Sequence, residues 1–288
     1  MARELHIFKR LVLGLQSSPS TPALRVAVEM AELLDLDLLG LFLDDHSLRE
    51  LAGIPFAREY RPLGGGWHPF DLDRLAHDLE VAAHSVERSF VDAVKDLATR
   101  SQFEVMHGPV AESLTSVSST GDILMIIEPA SVAERVSAQF SALIEAAFHS
   151  VAAVLLVPPR IVRSRGPIVA VATAANDPSI VAAAAVAVAA KETLVVVGAD
   201  KLREDSQLYQ LAADTGLTVR RIAAAGLAAD PSICLDALRS LHERMLVLTR
   251  LASDGAIASA IAGARQVPVL VVEPERLPLE SASLVGRH

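Results

Sequence analysis

Short runs of Val, Leu and Ile recur along the chain. They alternate with longer stretches, many of them alanine-rich, in which apolar residues return every three or four positions. The short runs predict buried parallel strands, and the longer stretches predict helices packed over them. The first strand is predicted over 10–15 (RLVLGL). A polar turn, 16–20, leads to Thr21-Pro22, where Thr21 caps a helix and Pro22 takes its first position. Leu24, Val28, Ala31 and Leu34 give that helix one apolar stripe. Further strands are predicted over 38–43, 103–107, 122–127 and 153–157. Further helices are predicted over about 71–99, 110–118 and 131–149. Residues 47–70 break the rhythm and read as an inserted loop, a lid or interface element with three consecutive glycines, Gly64 to Gly66.

The series then starts again. Pro158-Pro159 stops the fifth strand, and the basic, patternless stretch 161–166 reads as a linker. Strands are predicted over 167–171, 194–197, 219–223, 245–248 and 268–272, with Asp177-Pro178 repeating the cap-then-proline signal. The distance from strand end to cap is the same in both halves, Leu15 to Thr21 and Val171 to Asp177. The halves also close alike, on VLLVPPR and VLVVEPER. A duplicated five-strand α/β unit follows. Its first domain covers 1–160, its second 167–275, and 276–288 forms a tail.

Composition narrows the function classes. The chain has 288 residues, 51% hydrophobic and 21% charged, enough for two ordinary cores. A net charge of −9, with no basic cluster beyond Arg160 to Arg165, argues against nucleic acid and anionic membrane surfaces as partners. The single cysteine, Cys234, lies in a helical pattern, excludes an intrachain disulfide framework and reads as an inert buried thiol. The most apolar run, 180–198, is broken by Lys191 and Glu192 and splits into helix and strand rather than spanning a membrane. With no leader pattern at the start, a cytoplasmic location is expected.

Signatures of nucleotide hydrolases, dinucleotide-binding enzymes, serine hydrolases and zinc peptidases are all missing from the sequence, so no catalytic residue is assigned. Asp73, His77, Glu80 and His84 fall on one face of the long predicted helix. They read as a solvated polar face, which a dimer contact could recruit, and no metal site is assigned. Asp44, Asp45 and His46 end the second strand and His107-Gly108 the third, at the sheet edge where ligands of open α/β sheets bind.

Together these residues resemble a tandem member of the universal stress protein family. The resemblance is carried by the order of elements, by LFLDDHSLRELAGIPFAREY after the second strand, by His107-Gly108, and by the closing segments FHSVAAVLLV and RQVPVLVV. It implies two Rossmann-like domains of the adenine nucleotide alpha hydrolase-like kind, each a five-stranded parallel sheet flanked by helices. It also implies that the two fifth strands meet as in a fused dimer. ATP-binding members carry Asp after the first strand and a Gly-x-x-Gly, nine residues, Gly-Ser/Thr pattern after the fourth. Here the Asp position holds Gln16 in one half and Ala172 in the other. The glycine loop reads IIEPASVAERV in the first half, with Glu128 and Pro129. The Gly-Ser pair aligns with Phe140-Ser141, and in the second half only Gly255 remains.

The resemblance therefore implies a non-enzymatic stress-response binding or regulatory protein with a degenerate nucleotide site and no cofactor. Its partner would be an unidentified protein or small ligand, the two domains would pair, and a further homodimer stays open. The alternative is an ATP- or AMP-binding protein using a non-standard phosphate loop in the first domain. The candidate pocket lies between the first and fourth strands of the first half and is lined by Gln16, Ser17, Ser18, Leu43 and Ser141.

Overall fold

A computed structural model of the chain describes residues 7–15, 21–45, 54, 56, 58–61, 65–69, 71–98, 100–198, 207–224, 236–250 and 254–274, to which the following refers. The first half runs β1 (Arg10–Leu15), α1 (Thr21–Leu34), β2 (Asp37–Asp45), β3 (Arg58–Arg61), β4 (Gly66–Pro69), α2 (Leu72–Val94) and β5 (Ser101–Gly108). It continues with α3 (Val110–Val117), β6 (Asp122–Ile127), α4 (Val132–Arg135), α5 (Ala138–His149) and β7 (Ala153–Val157). The second half runs β8 (Ile168–Val171), α6 (Pro178–Ala190), β9 (Leu194–Val197), α7 (Gln207–Thr215), β10 (Val219–Ile222), β11 (Met245–Thr249), α8 (Asp254–Arg265) and β12 (Val269–Val272).

Ten strands form one sheet in the order β10-β9-β8-β11-β12-β7-β6-β1-β2-β5. Within each half all neighbours are parallel, and the strand order of one half repeats that of the other. Only the seam is antiparallel, where Leu270 of β12 stands opposite Leu155 of β7. Both strands are buried on both faces, as the apolar runs AVLLV and VLVV require. The protein is thus an α/β molecule with a large, mostly parallel sheet flanked by helices.

The alternation of β-strand side chains divides the core into two layers. On one face Leu11, Leu13, Val86, Phe90, Ala170 and Val186 pack together under α1, α2 and α6. On the other, Val12, Leu124, Phe140, Val154, Ala258 and Val271 pack under α5 and α8. Across the seam α1 touches α6 and α5 touches α8, so both layers run through the whole sheet. In α6, residues 179–187 are all buried. Its run of alanines lets neighbours approach it from every side, which explains why the sequence shows no polar face there.

Three expectations need correction. The inserted loop 47–70 contains a hairpin: β3 and β4 pair antiparallel, with Tyr60 opposite Trp67 and their rings 5.4 Å apart. Gly65, just before β4, and Gly66, which opens it, both have positive φ. The helix expected over 71–99 starts as expected, with Asp71 accepting from the Arg74 N–H at 3.1 Å, but it ends at Val94. The helix expected over 131–149 is two helices, because Ser137 leaves helical geometry to cap α5 through Phe140 N–H. The stretch 161–166, read as the linker, is held by contacts at three points. Val162 N–H donates to Gln266 O, Arg163 lies 3.6 Å from Glu243, and Gly166 N–H donates to Glu192. A Cβ at Gly166, whose φ is 128°, would sit 2.2 Å from His242 O, so only glycine fits. Cys234, His46 and the 276–288 tail lie outside the described residues.

Candidate functional site

Open α/β sheets bind ligands outside the carboxyl ends of the strands, where the strand order reverses. Here that places crevices at the ends of β1 and β6 in the first half and of β8 and β11 in the second. In the second half the crevice floor is filled from within. Asp177, 4% exposed, caps α6 and takes four donors. Its Oδ1 accepts from Ser179 N–H at 3.0 Å and from the Thr249 hydroxyl, and its Oδ2 accepts from the N–H and hydroxyl of Thr173 at 2.9 and 3.1 Å. Thr249 ends β11, so this network ties the strand to the start of α6. Cap and helix dipole both favour a negative charge there, and the protein supplies its own. The sequence identifies Asp177 as the cap but gives no sign of Thr249, which is far away in the chain.

In the first half, Gln16, Ser17 and Ser18 lie outside the described residues. Leu43 is buried in the apolar layer that also holds Phe140 and Leu143. Ser141 lies exposed in the first turn of α5, its N–H donating to Ser137 O at 3.1 Å. The β2–β5 register brings two other candidates together: Asp44 stands opposite His107 and Asp45 opposite Gly108. Gly108 has φ 135°, a conformation that favours glycine and lets the chain turn from β5 into α3.

Glu128 and Arg250 carry the least expected geometry. Ile127 stands opposite Val157, and Thr249 opposite Val272, so the next residues, Glu128 and Arg250, occupy equivalent positions in the two halves. Each donates its backbone N–H to the last residue of its own fifth strand, Glu128 to Val157 O at 2.8 Å and Arg250 to Val272 O at 2.7 Å. Each side chain then crosses to the other half. Glu128, 2% exposed, accepts the Ser259 hydroxyl of α8. Arg250 donates to Phe148 O, Ser150 O and Ala152 O at the end of α5, at 2.8, 2.8 and 2.7 Å, and pairs with Glu273. The sequence reads Glu128 as a charge facing a phosphate loop, whereas its carboxylate faces the opposite half.

Burial holds the Glu128 carboxyl above its ordinary range, against the opposing pull of the Ser259 hydrogen bond and of Arg135. A raised folded-state pKa means that folding favours the protonated acid. That contribution is complete below the unfolded pKa and is lost as pH climbs through the folded value. Glu128→Gln carries no charge at any pH and keeps an acceptor for Ser259. It should therefore be more stable than the parent near neutrality and lose that margin in acid. Urea midpoints across this range check it, and a margin independent of pH would refute the assignment.

Asp73, His77, Glu80 and His84 all lie exposed on α2, as the polar-face reading expects. His84 Nδ1 is 3.3 Å from Glu87, and no group of three metal-ligating side chains occurs among the described residues. No helix of the described residues is long and apolar enough to cross a membrane.

No protein-family model matches the chain, and no curated protein matches it. Solved structures do. A universal stress protein from Archaeoglobus fulgidus DSM 4304 superposes with a TM-score of 0.59 at 14% identity, covering 94% of this chain and 98% of that one. The cytoplasmic domain of a prokaryotic cation chloride cotransporter superposes with a TM-score of 0.51 at 9% identity, covering 92% and 95%. These likenesses establish the Rossmann-like fold, which this chain has in common with universal stress proteins.

Proposed function

We propose that the chain is a tandem universal stress protein of the cytoplasm that works by binding, as a regulatory module, and catalyses nothing. The observation that carries this reading is the paired commitment of Glu128 and Arg250. In the ATP-binding members that the sequence resembles, a glycine loop after the fourth strand offers bare N–H groups to phosphate. At that place this chain sets a buried carboxylate in one half and a half-buried guanidinium in the other, and both are turned into the opposite domain. Glu128 N–H is donated to Val157 O, and Asp177 supplies an anion to the start of α6. These residues do not fit a triphosphate, since a second negative charge beside Glu128 or Asp177 would be repelled. The likeness to a universal stress protein supports the family, and the antiparallel seam supports a fused pair of domains.

Thermal unfolding with and without Mg-ATP, ADP and AMP tests the proposal, alongside a hydrolysis assay and assay of nucleotide carried through purification. A nucleotide present at a hundred times its dissociation constant would stabilise the fold by about 2.7 kcal/mol. The expected result is no shift, no carried nucleotide and no turnover. A clear shift would establish the rival reading, a non-standard phosphate loop in the first half, with Glu128 and Ser141 as the first residues to replace.

A further inference from the structure

The chain is poor in aromatic residues, at 4%, yet it spends several of them on solvent. Among the described residues the exposed aromatic side chains are Phe56, Tyr60 and Trp67, at 89%, 59% and 64% exposure. All three fall in the excursion between β2 and α2, where Ile54 is half exposed as well. Apolar residues scattered singly are ordinary on a protein surface, whereas a group of large ones marks a surface that makes contact. None of the four belongs to either core layer.

The hairpin that carries two of these rings has two unlike faces. Residues opposite each other share a face, and faces alternate along a strand. Tyr60 stands opposite Trp67 and Arg58 opposite Pro69, so these four lie on one face, and all four are exposed. Glu59 and His68 lie on the other face and are half-buried, with Glu59 3.6 Å from Arg74 of α2. The hairpin's one carboxylate is therefore turned toward the fold. The outer face projects into open space. A Cβ added at Gly65 or Gly66 would meet no atom within 4 Å, and a ring as exposed as Phe56 has solvent on nearly every side. Small ligands and peptide anchors are held in concave sites, and a ring in that position lines none.

We propose that Phe56, Tyr60 and Trp67 seat the chain on the surface of a phospholipid bilayer, at the level of the headgroups. Three observations select this occupant. First, the surface is convex, and a fluid interface closes around a convex body without a matching shape. Second, Tyr60 and Trp67 touch, with ring centroids 5.4 Å apart. Each joins an apolar ring to one polar group, the combination that favours the boundary between water and acyl chains. Third, the charges suit a headgroup layer. Arg58 is the cation of the outer face, its stem free to lie along apolar surface while its guanidinium meets a lipid phosphate. No carboxylate on that face has to leave water. The net charge of −9 opposes an anionic surface. Aromatic insertion therefore drives the contact, and a zwitterionic headgroup suffices.

Trp67 is the chain's single tryptophan, so its emission reports on this face alone. When phosphatidylcholine vesicles are added to the full chain, that emission should move to the blue. Lipids brominated in their acyl chains should quench it, and the protein should float with the vesicles. Phe56→Ser should weaken flotation by at least about tenfold, with unchanged far-ultraviolet circular dichroism. The Trp67 emission of the parent decides the matter if that variant does not fold. An emission unmoved at millimolar lipid overturns the proposal. So does flotation that Phe56→Ser leaves as strong, or that appears only with anionic lipid, since charge would then be the cause. A parent that sediments at twice the chain mass without lipid, and at the chain mass as Phe56→Ser, assigns the face to a second copy and overturns it too.

Discussion

Replacing Arg250 by alanine should cost about 3 kcal/mol of folding stability, because it strips a half-buried cation from a site built around it. The guanidinium forks onto three carbonyl oxygens, Phe148 O, Ser150 O and Ala152 O, and pairs with Glu273. It also lies 5.5 Å from the centre of the Phe148 ring. The carbonyls belong to the end of α5 and the turn after it, where the helix dipole leaves partial negative charge and unpaired acceptors. No other cation among the described residues donates to these oxygens, so alanine removes the charge that all three share. Arg250→Lys should recover less than half of the loss, since an ammonium cannot reproduce the planar fork. Urea unfolding of the three proteins measures this. A cost under about 1 kcal/mol for the alanine variant would mean that water replaces the guanidinium without penalty.

Glu243→Ala should be at least as damaging, at roughly 3 to 5 kcal/mol. Glu243 is fully buried. Arg265 grips it with both prongs, Nε at 2.7 Å and Nη2 at 2.8 Å, and Arg163 lies 3.6 Å away. Arg265 Nη2 also donates to Leu238 O and Leu241 O, which fixes the chain before β11. Without the carboxylate, two guanidinium groups lose the charge that they share. Glu243→Gln keeps the shape but loses the charge and should fall in between. A double replacement, Glu243→Ala with Arg265→Met, should be less destabilised than Glu243→Ala alone, because it removes the uncompensated cation together with its partner. If the double variant is worse than the single one, the penalty comes from lost packing rather than stranded charge.

Much of the fold can be read in the sequence because parallel strands buried on both faces admit few residue types. The runs LLGLFL, DILMII, AVLLV and VLVV all lie in strands where the apolar pattern puts them. What escapes the pattern does so for definite reasons. REYR and GWHP form a hairpin with little apolar alternation, because the hairpin stands apart from the main sheet. Val132, Val136 and Phe140 sustain a helical stripe through the break at Ser137, since a cap is a matter of backbone geometry that periodicity does not register. Leu97 likewise extends the stripe of α2 past its end at Val94. Of the candidate pocket, Leu43 is legible only as core and Ser141 only as a helix surface residue. The charges that join the halves become legible when the two repeats are laid over each other. Glu128 and Arg250 then fall at one position with opposite signs, a pattern that a shared ligand site would not require and a contact between unlike halves does.

The seam has a consequence for how the molecule comes into being. The strand that covers β7 is β12, made more than a hundred residues later, as the register of Leu155 with Leu270 shows. A ribosome that has completed the first half presents a five-residue apolar strand with one side unpaired. It holds it so until the second half has been synthesised and folded. During that interval AVLLV is open to any other extended segment, including the same strand on a neighbouring nascent chain. Carrying both halves on one polypeptide shortens the wait, because the missing strand arrives tethered instead of having to be found by diffusion.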